Sequence, residues 1–209
     1  MNGNGGGSVV SRRLALTGAI ACCFGGMAFP HSVGASDRAA VNIVSLMLEE
    51  MGQLYRTATT ESQIADGLEK IFSNYADMDV ISRSVIGPPW RRVSVGEREE
   101  FTSVFKRYLS EKYARYFPAA LKGQYEIIKV VELKKDQHSV ESKVFIQESY
   151  PYRIRWHVRR YRGKSLIVNL VTDEINLLSL ERTVIRSLLQ QRMGRMDRLI
   201  AYLPTRYAE

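Results

Sequence analysis

Thiols are nearly absent from this sequence. Two cysteines occur in 209 residues, adjacent at Cys22 and Cys23. The chain beyond them can form no disulfide, no thiolate metal site and no cysteine nucleophile. Histidine is almost as scarce, at His31, His138 and His157. No His, Cys and carboxylate grouping has metal-ligand spacing. There is no phosphate-cradling glycine loop, no nucleophile elbow and no hydrolase-like order of Ser and His. His157 stands among arginines, whose charge disfavours the cationic form that a general base must pass through. Asp77 and Asp79 would not face each other on a helix, and helix capping is their simpler role. The sequence therefore points away from an enzyme. No nucleic-acid motif is present either.

A long apolar run is missing as well. The stretch from Leu14 to Phe29 is uncharged but short for a membrane span. It follows Ser11, Arg12 and Arg13, an order that resembles a twin-arginine export signal. Val33 and Ala35 have the small-residue spacing of a cleavage site. Residues 1–35 are therefore expected to be a removable signal, and residues 36–209 a single domain. That domain would keep 174 residues, enough for a real core. Its charge would be 28 basic against 22 acidic residues, since only Arg12 and Arg13 leave. The cysteines would leave too, unless one of them is a lipoprotein processing site. Outside the cytoplasm, anionic headgroups and acidic proteins are the common partners of a basic surface, not DNA.

Aromatic and aliphatic residues are what the chain has in abundance. Residues 152–161, YRIRWHVRRY, place Tyr152, Ile154, Trp156 and Val158 on one side of a strand. Arg153, Arg155, His157 and Arg159 fall on the other. Three readings compete for that pattern: a nucleic-acid platform, a lipid-handling surface, or a core with a solvated exterior.

The order of elements is helices, strands, helices, an α+β pattern. Apolar residues at helical spacing predict helices over about 37–55 and from 64 to 75, the second with a Thr60/Gln63 capping box. A third helix begins near Asp77 or Asp79 and stops at Gly87-Pro88-Pro89. A fourth starts at the Ser94/Glu97 capping box and carries Phe101, Val104, Phe105, Tyr108, Leu109, Tyr113 and Tyr116 on one stripe, with Lys112 the one departure. Pro118 ends it. Four strands follow, 125–133, 139–147, 152–161 and 164–173, joined by hairpin-length links in an antiparallel meander. The last is apolar on both faces and is expected inside the sheet or under a helix. Helices over about 178–193 and 197–203, joined at Gly194, close the chain. A dry sheet face under helices can be a packed core or can enclose a cavity.

Residues 75–117 resemble the MlaC family, the periplasmic phospholipid-carrying components of the Mla transport system, also called toluene-tolerance auxiliary proteins. Asp77 or Asp79, Gly87, Trp90, Glu97, Phe101, Phe105, Leu109 and Tyr113 answer to the family pattern in order. The likeness runs weakly over the strands and returns at Arg182 and from Gly194 to Leu203. Glu174 and Asn176 stand where the family has Gly and Ser. The resemblance implies a twisted four-stranded antiparallel sheet packed with about six helices, and an apolar lipid cavity between them. It implies lining by Ile86, Trp90, Phe101, Val104, Phe105, Leu109 and Tyr113 on the helical side. Val144, Ile146, Ile154, Trp156, Val158, Leu166 and Val168 would line it on the strand side. Arg153, Arg155 and Arg159 would meet a membrane or an acidic partner. The implied function is a monomeric periplasmic carrier that moves phospholipid between an outer-membrane lipoprotein complex and an inner-membrane ABC transporter complex, maintaining outer-membrane lipid asymmetry. No cofactor is implied. A hopanoid cargo, as in one branch of the family, and an enzyme on a cone-shaped α+β fold are the alternatives.

Overall fold

The computed structural model describes residues 34–116, 124–145, 151–172 and 175–206. Residues 1–33 of the expected signal segment, Ile146 and Pro118 lie outside the described residues. Helix α1 (Ala35–Thr57) buries the stripe Ala40, Val44, Met47, Leu48 and Tyr55. Helix α2 (Glu61–Tyr75) opens on the expected capping box: Thr60 Oγ1 accepts from the Gln63 amide at 3.2 Å. Gln63 Oε1 accepts from the Thr60 amide at 3.3 Å. Each bond satisfies an amide that the first helical turn leaves without a partner.

Asp77, not Asp79, caps α3 (Met78–Ile86), accepting from the Val80 amide at 3.1 Å. Gly87 then takes φ +76°, a conformation that disfavours any side chain, and a 3₁₀ turn over Pro88–Arg92 follows. The last carbonyls of α3 are met from across the fold. Arg182 Nε donates to the Ser84 carbonyl at 3.1 Å and Arg186 Nε to that of Val85 at 3.3 Å. Helix α4 (Val95–Tyr116) starts at Ser94. The Glu97 carboxylate accepts from the Ser94 hydroxyl at 2.6 Å and its amide at 3.1 Å. These bonds hold the Glu97 carboxyl below the usual range.

The sheet runs β1 (Gln124–Lys134), β2 (Gln137–Phe145), β3 (Tyr152–Tyr161), β4 (Lys164–Thr172) and β5 (Ile175–Asn176), in that order and antiparallel throughout. Between β3 and β4, Arg162 and Gly163 both have positive φ, 49° and 79°, as a two-residue hairpin that follows the twist of its strands requires. The fifth strand is absent from the four-strand expectation. Two residues are too short to show any period, and β5 exists only by pairing with Val171 and Thr172. Helices α5 (Leu177–Gln191) and α6 (Met196–Tyr202) end the fold, and Asn176 caps α5 by accepting from the Ser179 amide at 3.0 Å.

Two apolar clusters result. One joins α1 and α2 to the inner sheet face through Val140, Val144, Ile154, Trp156 and Val158. The other lies among α3, α4, α5 and α6, around Phe101, Phe105, Tyr108, Ile185 and Leu199. Phe72 and Tyr113 pack against both. His138 Nε2 reaches within 3.2 Å of Asp37 Oδ1, close enough for an ion pair but off the axis of a hydrogen bond.

Candidate functional site

Helices α1 and α2 do not fill the space against the sheet. A cavity of about 330 Å³ remains there, far above the roughly 15 Å³ that one water needs, so it is no packing defect. Its helical wall is Met47, Leu48, Met51 and Tyr55 from α1, with Leu68, Ile71, Phe72 and Tyr75 from α2. The strand wall includes Tyr125, Val144, Tyr152, Ile154, Trp156, Ile167 and Leu170. Leu109 and Tyr113 enter from the second half of α4, and Leu177, Leu178 and Glu181 from the start of α5. The wall is almost wholly hydrocarbon and aromatic. Trp156 shows how: its ring faces the cavity while its Nε1 donates to the Ser142 hydroxyl at 2.9 Å, the partner that a buried indole needs.

The expected lining residues divide into distinct groups. Leu109, Tyr113, Val144, Ile154, Trp156 and Val168 border the cavity. Ile86, Trp90, Phe101, Val104 and Phe105 do not; they belong to the cluster among the helices. There Phe101 stacks on Phe105 at 5.3 Å, Phe105 on Tyr108 at 6.0 Å, and Trp90 meets Phe101 edge-on at 6.1 Å. A single helical stripe serves both regions: its first half is packed core, and its second half reaches the cavity. Val158 is fully buried in the sheet cluster without bordering the cavity.

Leu166 is on the opposite face. It pairs with Arg159, whereas Ile167 pairs with Val158 and Leu170 with Trp156. The ladder slips between Val158 and His157, leaving Val168 as an extra residue. Such a bulge breaks the alternation by twos that placed Leu166 and Val168 together.

Helices α1 and α2 contribute many of the lining residues that sequence reasoning missed, and Tyr125, Ile167 and Leu170 of the sheet and Leu177 and Leu178 of α5 were missed as well. The apolar stripes of α1 and α2 were evident, but a stripe does not say whether it meets atoms or a void. Glu181 was missed too, although it interrupts the run Leu178, Ile185 and Leu188 at helical spacing. It is 4% exposed. Its Oε1 accepts from Lys112 Nζ at 2.6 Å and from the Tyr113 hydroxyl at 2.8 Å. Lys112, the one charge on the α4 stripe, is thus half of a buried ion pair. Its ammonium also lies 5.9 Å from the Tyr108 ring and 5.7 Å from that of Tyr113. Burial pushes the Tyr55 hydroxyl well above the usual phenol range, keeping it neutral.

On the outer sheet face, Arg153 Nη1 donates to Glu141 Oε1 at 3.2 Å, and Lys129 Nζ lies 3.3 Å from Glu141 Oε2. Glu141 is 5% exposed despite facing outward, because these long side chains cover it. Arg155 sits opposite Glu141 in the ladder. Arg159 lies over the Tyr161 ring at 5.0 Å. Burial, and then the charge of Arg155, pushes the His157 imidazole below its ordinary pKa.

Fold and cavity together define a shell of helices and sheet around an apolar space. The chain belongs to the MlaC family: the profile described as "MlaC protein" matches residues 43–205. Among solved structures, a phospholipid-binding protein from Ralstonia solanacearum, determined in complex with a phospholipid, is similar in fold. The TM-score is 0.64 at 15% identity, over 85% of this chain and 98% of that one. No curated protein matches the chain.

Proposed function

We propose that this protein is a periplasmic lipid carrier, not an enzyme. It takes up phospholipid in the cavity between α1, α2 and the sheet. It carries the lipid between an outer-membrane lipoprotein complex and an inner-membrane ABC transporter complex, after export on the twin-arginine signal of residues 1–35. The observation that carries this reading is the cavity wall, which is almost wholly hydrocarbon and aromatic. Family membership and the phospholipid in the similar structure support it. The physics suits the job. At about 0.8 kcal/mol per buried methylene, two acyl chains gain on the order of 20 kcal/mol over water. Such a cargo does not leave on its own, so release needs a partner that opens the carrier.

Arg155 and Arg159 are the charges proposed to steer that encounter. Arg153 is held by Glu141 and contributes less. The test is transfer of a labelled phospholipid from the loaded protein to anionic acceptor vesicles or to the partner complexes. Arg155→Gln with Arg159→Gln is expected to slow transfer about tenfold. Added salt is expected to slow the wild type, because exposed charges are screened as the Debye length falls from about 8 Å to about 3 Å at 1 M. Transfer that ignores both changes would leave the arginines a merely solvated face.

A further inference from the structure

Glu181 is out of place in an apolar wall. It lines the cavity, yet its two carboxylate oxygens are treated very differently. Lys112 and Tyr113 both bond to Oε1. Oε2 is buried and has no hydrogen-bond partner among the described residues. An unpaired carboxylate oxygen in a medium of low dielectric constant is costly. The pair is tethered on one side only, and the soft last torsion of a glutamate lets Oε2 swing. The hydroxyl of Tyr55, on the same cavity wall, is also buried and has no hydrogen-bond partner among the described residues.

A cavity meant for hydrocarbon alone would be better served by apolar residues at both positions, since a buried ion pair rarely adds stability over a well-packed apolar replacement. We propose that Glu181 is a selectivity residue of the cavity. Its Oε2 accepts a hydrogen bond from a donor on the bound lipid, a hydroxyl or a primary ammonium. Lys112 and Tyr113 hold the carboxylate in position. The cargo is then a lipid with a polar donor that reaches the cavity wall. One with a donor-free polar group, such as a quaternary ammonium, is disfavoured. A buried polar group left unpaired by the wrong ligand is the strongest discriminator a site of this kind possesses.

The inference rests on the carrier reading, and its test separates the two. The delipidated full-length mature protein is offered equimolar phosphatidylethanolamine and phosphatidylcholine with identical acyl chains, and retained lipid is quantified by native mass spectrometry. In a parallel arm it is offered a 3-hydroxysterol and its 3-methyl ether. The first pair tests a headgroup donor, the second a donor on a polycyclic body. The wild type is expected to favour the donor-bearing member of at least one pair about tenfold or more, the effect of one hydrogen bond to a charged group. In Glu181→Gln the amide offers a donor where an acceptor stood, and the ratio is expected to fall to about one or to invert. Because the wild-type ratios need no variant, the test survives a poorly folding mutant. Equal retention within both pairs would overturn the inference and leave the carrier reading standing. Retention of none of the four lipids would overturn both.

Discussion

Replacing Val144 by tryptophan is expected to empty the protein of lipid while leaving it folded. Val144 lies in β2 between Tyr125 of β1 and Tyr152 of β3, and all three border the cavity. In a close-packed core an enlargement of this kind costs roughly 1–3 kcal/mol, because neighbours must leave their rotamers. Here the added indole has free volume to enter, so the delipidated variant should lose less than about 1 kcal/mol in chemical denaturation. The comparison needs delipidated proteins, because bound lipid stabilises the wild type by mass action. Co-purified lipid should drop to a small fraction of the wild-type amount. A variant that keeps its lipid, or one that pays the full overpacking penalty, would show that the space beside Val144 is not where cargo sits.

Truncation of Phe105 to alanine is expected to do the reverse. Phe105 is fully buried and stacks on both Phe101 and Tyr108. Removing a phenyl group from such a site costs about 3–5 kcal/mol, through lost transfer energy and the hole left behind. The denaturation midpoint should fall with little change in slope, as for a loss of stability without a change of fold. Lipid bound per folded molecule should stay near the wild-type amount, since the ring does not border the cavity. A stable variant that has lost its lipid would mean that Phe105 lines the cargo site after all, as its place on the α4 stripe suggested.

These two residues show where the sequence was informative and where it was not. Chemistry encoded in a few neighbouring residues could be read directly. The Thr60/Gln63 and Ser94/Glu97 boxes start α2 and α4 where expected. The alternation along β3 places Ile154, Trp156 and Val158 inward and Arg153 and Arg155 outward. Whatever depends on distant partners could not be read. Nothing local distinguishes Phe105, which lies in the cluster formed with α3, α5 and α6, from Leu109, which also borders a cavity. The bulge at Val168 reverses the facing of Leu166 without any glycine or proline to announce it. Lys112 looked like an isolated irregularity on the α4 stripe, and Glu181 was not singled out at all. Only the fold brings them to 2.6 Å across 69 positions of sequence.

The central claim is that the space between α1, α2 and the sheet is built for lipid. Native mass spectrometry of protein purified from the periplasm, before and after organic extraction, tests it most directly. The account predicts a mass above that of the mature chain, lost on extraction, with diacyl phospholipid in the extract. An identical, ligand-free mass before and after extraction, with no lipid recovered, would contradict it.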